Sequence, residues 1–217
     1  MKYLSYILLI LAAGAFNSFS GDTGTVEPIR PYTDNPFYWQ YRGEPVMLIG
    51  ASVDDNLFQV PDLADHLDQM QSVGANYVRN TMSERPVHGY EVSAFEKQGG
   101  TYDLRQWNQE YWDRFSNLLK WSAERNIIVQ IEIWATHDFF TEGQWGNSPW
   151  NPGNNVNYDF ENTKLTKQAP QRANQFHPFF NSVPKALNDT VLLLWQQRFV
   201  DRILSHSLDY PNVLYCI

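Results

Sequence analysis

The sequence predicts an α/β fold in which parallel strands are joined by crossover helices, and three observations support this prediction. Four short apolar segments alternate with segments whose apolar residues recur at helical spacing. The connections from a helix into the next strand are short, whereas two of those from a strand into the next helix are long. The first strand–helix junction, residues 50–56, lacks a G-x-G-x-x-G phosphate loop, which argues against the alternative of an open doubly wound sheet.

The first predicted element is an N-terminal β-hairpin. Residues 37–41 and 45–49 are rich in strand-forming side chains, and Gly43 lies in the turn between them. The run 46–49 is continuously apolar, as in a strand that is buried on both faces. We therefore expect the second arm to continue inward as the first strand of the parallel sheet.

The next elements alternate between helix and strand. A helix is predicted to begin at Asp62 and to end at Gly74, with Leu63, Leu67 and Met70 on its buried face. Residues 76–82 form the second predicted strand.

A second helix is predicted to open at Asp103, and residues 127–134 form the third strand. This helix carries one apolar face, made of Trp107, Tyr111, Phe115, Leu118 and Leu119. Asp189 caps the third predicted helix, and residues 213–217 begin a fourth strand. The apolar face of the third helix consists of Leu194, Trp195, Phe199 and Ile203.

Connection lengths extend this prediction to a (β/α)₈ TIM barrel. The long connections, residues 83–102 and 135–188, follow strands, and the strand-to-helix loops of such barrels build the active site. Four strands do not close a barrel, so the expected fold is a TIM barrel truncated after about four βα units. A half-barrel that dimerises is the alternative.

Composition limits the function classes. Hydrophobic residues make up 43% and charged residues 18% of the chain, which is typical of a globular protein. The net charge is −8 and no long basic run is present, so nucleic acid is not an expected partner. No metal-ligand spacing or cofactor motif stands out, and Cys216 has no second cysteine to pair with. The sequence leaves the oligomeric state unknown.

Residues 1–20 are predicted to be a signal peptide. Lys2 precedes the apolar run 4–16, and residues 18–20 form a small-x-small cleavage site. The run is too short to span a bilayer, so no stable membrane anchor is expected, although an uncleaved anchor is the alternative. We expect a secreted or periplasmic protein, with a leader at 21–36 and the folded region at 37–217.

The third strand alternates polar and aliphatic residues. Gln130, Glu132 and Trp134 share one face, and the aliphatic residues between them share the other. A buried glutamate requires a partner, and Arg79 at the end of the neighbouring strand is the expected one. Glu132 is then either part of a site or a structural link.

Four motifs in this order resemble a known family. They are residues 43–49, 74–79, 127–134 with His137 after them, and 210–215. Together they resemble the N-terminal half of a clan A glycoside hydrolase, most similar to the cellulase-like, family 5-type barrels, over residues 37–217. The resemblance implies a retaining glycosidase with two catalytic carboxylates, acting on a β-linked poly- or oligosaccharide.

The resemblance also implies roles for individual residues. Arg79 would keep the nucleophilic carboxylate ionised, and His137 would contact the sugar beside the scissile bond. The acid/base glutamate is expected just after Ile217 and the nucleophile further downstream. No catalytic residue is therefore assigned within residues 1–217, and this chain alone is expected to be inactive.

The other predicted substrate-binding residues lie at the expected barrel mouth. Aromatic residues in polar loops suit sugar stacking, and polar residues at strand ends suit hydroxyl binding. The full predicted set is Arg79, Asn80, Trp134, His137, Asp138, Trp145 and Trp150. The alternatives are a structural ion pair for Arg79, an ordinary hydrogen-bonded His137 and loop packing for the tryptophans.

Two other functions remain open at this point. One is a non-catalytic carbohydrate-binding barrel that has lost its catalytic carboxylates. The other is an unrelated secreted barrel enzyme without affinity for sugar.

Overall fold

The computed structural model describes residues 27–169 and 177–217 of the chain. These residues form eight β-strands, five α-helices and two short 3₁₀ helices. The strands are β1 Arg30–Pro31, β2 Trp39–Tyr41, β3 Glu44–Val46, β4 Tyr77–Thr81, β5 Phe95–Gln98, β6 Thr101–Trp107, β7 Ile128–Glu132 and β8 Val213–Cys216. The α-helices are α1 Leu63–Ser72, α2 Gln109–Glu124, α3 His137–Phe140, α4 Glu142–Asn147 and α5 Thr190–Ser207. The predicted signal peptide lies outside the described residues, as does the leader up to residue 26.

A three-stranded parallel sheet forms the centre of the fold. Its strand order is β4-β7-β8, and Arg79 pairs with Gln130 while Glu132 pairs with Cys216. The predicted strands at 76–82, 127–134 and 213–217 are therefore observed, each somewhat shorter than predicted. Gly50 adds a single parallel bridge to Tyr77 at the edge of β4.

The predicted truncated TIM barrel is wrong. Within residues 27–169 and 177–217 the strands form one open parallel sheet and two small antiparallel sheets, β1-β2-β3 and β5-β6, and no barrel. A barrel requires a continuous series of tilted, staggered strands. The segment predicted to supply its first strand instead leaves the hairpin at Val46, and Met47 and Ile49 after it are 61% and 47% exposed.

The predicted β-hairpin is present as β2 and β3. Trp39 pairs with Val46, and the two-residue turn consists of Arg42 and Gly43 with φ angles of 54° and 83°. A turn with two consecutive positive φ angles twists in the same sense as the strands that flank it. Glycine adopts a positive φ angle without strain.

The helix predicted to open at Asp103 begins later. Residues 101–107 form strand β6, which pairs with β5 through a turn at Gly99 and Gly100, both of positive φ. The adjacent glycines are a hairpin signal that outweighs the helical spacing of Trp107 with the residues after it. Helix α2 begins after Asn108, whose side-chain oxygen accepts a hydrogen bond from the Glu110 amide.

The apolar face of the parallel sheet packs against helices α1, α2 and α5. Val78, Val129 and Ile131 are buried in one core cluster with the inner faces of these helices, which include Leu67, Phe115 and Ile203. Leu194, predicted to lie on the buried face of α5, is instead 56% exposed. The opposite face carries Gln130 and Glu132, as the alternation predicted. On the same face, Ile128 is buried in a second apolar cluster with Tyr41 of the hairpin.

The first prediction concerns Asp189, which joins helix α5 to the loop before it. One carboxylate oxygen accepts from the Leu192 amide at 3.0 Å, and the other accepts from the Lys164 amide at 2.6 Å. Asp189→Ala should lower the free energy of unfolding by about 1–2 kcal/mol, because it removes the cap of α5. Urea unfolding measures this, with exposed Asp201→Ala on the same helix as the matched control, which should change stability by less than about 0.5 kcal/mol.

The second prediction concerns His177, a residue that is 1% exposed. Burial lowers the pKa of His177 to about 4, so the ring is neutral in the folded protein. The unfolded chain binds this proton below about pH 6.5, and stability should therefore fall by up to about 3 kcal/mol as pH drops from 7 to 4. His177→Asn should reduce that pH dependence in thermal or urea unfolding. An equal slope in the wild type and the variant would contradict the assignment.

Candidate functional site

A cleft opens at the carboxyl ends of strands β4 and β7. Its volume is about 150 Å³, which is ample for several water molecules since one water requires roughly 10–15 Å³. The loop after β4 supplies Glu84 and Arg85, and the segment after β7 supplies Trp134 and Asp138. Three carboxyl groups, those of Glu84, Glu91 and Asp138, therefore share one cavity with aromatic side chains.

Glu84 and Asp138 are the two carboxyl groups of the cleft whose pKa values are raised, and the pKa of Glu84 is raised more. The two oxygens of Glu84 accept hydrogen bonds from the Ser93 hydroxyl at 2.9 Å and from the Ala94 amide at 3.2 Å. Burial raises the pKa of Glu84 to about 8, because these hydrogen bonds compensate only in part and the charge of Asp138 opposes ionisation further. Glu84 is therefore mostly protonated at neutral pH.

Asp138 lies in helix α3 on the other side of the cleft. Its carboxylate accepts a hydrogen bond from the Ser83 hydroxyl at 2.9 Å and forms an ion pair with Arg85 at 3.3 Å. Burial raises the pKa of Asp138 to about 6, against the lowering effects of Ser83 and Arg85. Asp138 is therefore mostly ionised at neutral pH, while Glu84 retains its proton.

Arg85 connects the segments that surround the cleft. Its guanidinium forms ion pairs with Asp55, from the segment that precedes α1, and with Asp138. It also donates to the Ser83 hydroxyl at 2.8 Å. This arrangement fixes the position of Asp138 and supplies the positive charge that favours its ionised form.

Aromatic rings form one wall of the cleft. Trp134 stacks on Phe199 with ring centroids 5.4 Å apart, and it meets the edge of Trp150 at 5.7 Å. Tyr102 also lines the cavity. Such a wall suits a ligand that combines an apolar face with hydrogen-bonding groups.

Three of the seven residues predicted to bind substrate line this cleft. They are Trp134, Asp138 and Trp150. Exposed His137 does not line it, although it is adjacent to Asp138 in α3.

Arg79 and Asn80 lie elsewhere. Arg79 forms the predicted pair with Glu132, with Nε 2.6 Å from the carboxylate, on the face of the sheet opposite the helices. Asn80 is fully buried, and its side-chain oxygen accepts from the Phe58 amide at 3.0 Å. Asn80 thus holds the 3₁₀ turn at Leu57–Gln59 against β4, and the prediction that it contacts a ligand does not match this placement.

Trp145 is a core residue in the structure. Its side chain is fully buried, and the indole N–H donates to the Thr166 carbonyl at 2.9 Å. The predicted sugar-binding loop folds in part as helix α4, which turns this ring inward against Phe139 and His177. The alternative of loop packing therefore describes Trp145 correctly.

Sequence reasoning missed Glu84, Arg85 and Ser93. A signal for the first two was available, because Ser83-Glu84-Arg85 follows directly after the predicted strand 76–82. Polar residues at the carboxyl ends of parallel strands meet at one edge of the sheet. Ser93 lies within a long loop, and its approach to Glu84 depends on the path of that loop.

The part of the chain that the structure describes contains no cluster of His, Cys, Asp or Glu side chains suited to a metal ion. In the same residues, no helix combines the length and apolarity needed to cross a bilayer. No protein-family model matches the chain, and no curated protein matches it either.

The third prediction concerns the effect of Arg85 on Asp138. Arg85→Gln removes the cation beside the carboxylate and should raise the pKa of Asp138 further above its ordinary value. Side-chain carboxyl ¹³C NMR over a pH series measures this shift. Arg79→Gln is the matched control, since Arg79 pairs with Glu132 outside the cleft, and it should not alter the Asp138 titration. An unchanged titration in Arg85→Gln would contradict the role given to this ion pair.

Proposed function

We propose that this protein is a secreted glycoside hydrolase that cleaves a β-linked poly- or oligosaccharide in the cleft at the carboxyl ends of β4 and β7. One observation carries the proposal: Glu84 and Asp138 share an aromatic-walled cavity, and their environments separate their pKa values to about 8 and about 6. Two carboxyl groups held in opposite protonation states are what acid-assisted glycoside cleavage requires.

The proposed mechanism assigns the proton to Glu84. Glu84 donates it to the glycosidic oxygen as the leaving group departs, which avoids the release of an alkoxide. Ionised Asp138 attacks the anomeric carbon and forms a glycosyl ester. Glu84, now a carboxylate, then takes a proton from the water that hydrolyses this ester, so configuration at the anomeric carbon is retained.

The surrounding residues support these two roles. Arg85 and the Ser83 hydroxyl stabilise the charge of Asp138 and fix its orientation. Trp134 and Tyr102 line the cavity and are of the aromatic type against which the C–H side of a sugar ring packs.

A non-catalytic carbohydrate-binding protein is the second candidate, and one observation favours it. Both oxygens of Glu84 already accept hydrogen bonds from the protein itself, at Ser93 and Ala94. A carboxyl group held in this way can serve as a structural link in the cleft wall. The binding protein would retain the saccharide but would not cleave it.

The fourth prediction is catalytic activity with a defined pH dependence. The purified chain should hydrolyse an aryl β-glycoside with a bell-shaped kcat/KM profile between about pH 6 and about pH 8, because Asp138 must be ionised and Glu84 protonated. Glu84→Gln and Asp138→Asn should each lower kcat/KM about 10²–10⁴-fold. Glu96→Gln, an identical change on exposed strand β5, should leave activity unaltered.

The same assay separates the candidates. Turnover by the wild-type chain would overturn the expectation from the sequence that residues 1–217 alone are inactive. Saccharide binding without turnover would support the binding protein instead. Full activity in Glu84→Gln would remove Glu84 from the mechanism, and inversion of configuration in the product, observed by ¹H NMR, would exclude the covalent step at Asp138.

A further inference from the structure

A second cavity lies between the segment that enters helix α1 and the middle of helix α2. Its volume is about 290 Å³, and Val60 and Asp62 border it on one side while Asn117 and Trp121 border it on the other. The proposed mechanism makes no use of it.

The lining of this cavity combines an aromatic platform with hydrogen-bonding groups. Trp121 is partly exposed and packs against the core on its inner side. Asn117 lies one helical turn before it on α2 and supplies an amide donor and an acceptor. Asp62 is exposed and makes no capping hydrogen bond to the first turn of α1, so its carboxylate is open to a ligand hydroxyl.

The charges of the lining select for a neutral ligand. Among the described residues that border the cavity, Arg114 alone carries a positive charge, and it is already engaged. Its guanidinium donates to the Gln59 and Tyr90 carbonyls at 3.3 and 2.7 Å and pairs with Glu110 at 2.5 Å. An anionic ligand would therefore meet the unpaired Asp62 carboxylate without a free cation to balance it.

The loop at residues 84–93 lies between the two cavities. Its residues line the cleft and also accept hydrogen bonds from side chains that border the second cavity. On one side it supplies Glu84 and Ser93 to the cleft. On the other side, the Gln59 side-chain amide donates a hydrogen bond to the Val92 carbonyl at 2.8 Å, and the Arg114 guanidinium donates one to the Tyr90 carbonyl. The two cavities are therefore neighbours across one loop that is hydrogen-bonded from both directions.

We infer that this cavity is a second saccharide-binding site, in which a neutral sugar ring stacks on Trp121 and hydrogen-bonds to Asn117 and Asp62. The ligand class rests on the proposed function, whereas the location and the preference for a neutral ligand rest on the cavity itself. The site would hold a glycan chain at the surface beside the cleft.

The experiment observes each tryptophan separately. The full chain is labelled with 5-fluorotryptophan, and its eight tryptophan signals are assigned in ¹⁹F NMR by single Trp→Phe variants. Cellotetraose, xylotetraose and mannotetraose are then added to about 20 mM, which saturates a site whose Kd is on the order of 1 mM. At least one of them should shift the Trp121 signal saturably, while the Trp39 signal in the hairpin remains unchanged.

Variants assign the shift to the cavity. Asn117→Ala should weaken the response at Trp121 about tenfold, and this variant should fold because alanine is favoured in a helix. Glu84→Gln should leave the Trp121 response unaltered, since its substitution lies in the other cavity.

The outcomes distinguish this inference from the proposed function. Shifts at Trp134 and Trp150 without a shift at Trp121 would overturn the second site and leave the cleft in place. A shift at Trp121 alone would support the second site and count against saccharide binding in the cleft. An unaltered response in Asn117→Ala, or no shift at Trp121 with any of the three sugars, would overturn the inference.

Discussion

The candidate site depends on the guanidinium of Arg85, which joins three segments of the chain. Asp55 precedes α1, Ser83 follows β4 and Asp138 follows β7, and Arg85 contacts all three side chains. The guanidinium suits this position because its donors point in several fixed directions within one plane. A lysine would provide a single charged centre and could not hold the same three groups in fixed directions.

The second constraint on the cleft is the burial of two carboxyl groups. Shielding from water raises the pKa of both, but Asp138 faces Arg85 whereas Glu84 faces only neutral donors. The difference in partners is therefore what places one proton on Glu84 and leaves Asp138 charged. Carboxyl groups with a raised pKa lower stability progressively as the pH rises from about 4 to their raised pKa values of about 6 and about 8, a cost that proteins commonly accept at functional sites.

Much of the local structure could be predicted from the sequence. Strands β4, β7 and β8, helix α1 and the Asp189 cap follow from apolar periodicity and capping residues, which act over a few neighbouring positions. The pairing of Arg79 with Glu132 followed from alternation along two adjacent strands. In each case the physical cause lies within one element or between two neighbouring elements.

The predictions from the sequence failed where the structure depends on contacts among several segments of the chain. The barrel was inferred from the order of strands and helices, but this order does not determine how strands associate, and residues 47–49 stay largely outside the sheet. Trp145 was predicted to be exposed because its neighbours are polar, yet α4 directs it toward Phe139. Glu84 meets Ser93 only because the loop between them folds back, which no local pattern encodes.

The protonation state of Glu84 at neutral pH tests the central claim most directly. Infrared spectroscopy distinguishes the carbonyl stretch of a protonated carboxylic acid from the bands of a carboxylate. A difference spectrum at pH 7 between wild type and Glu84→Gln should contain the protonated-acid band in the wild type, because the pKa of Glu84 lies near 8. A spectrum that instead contains only carboxylate bands for Glu84 would contradict the account of this cleft.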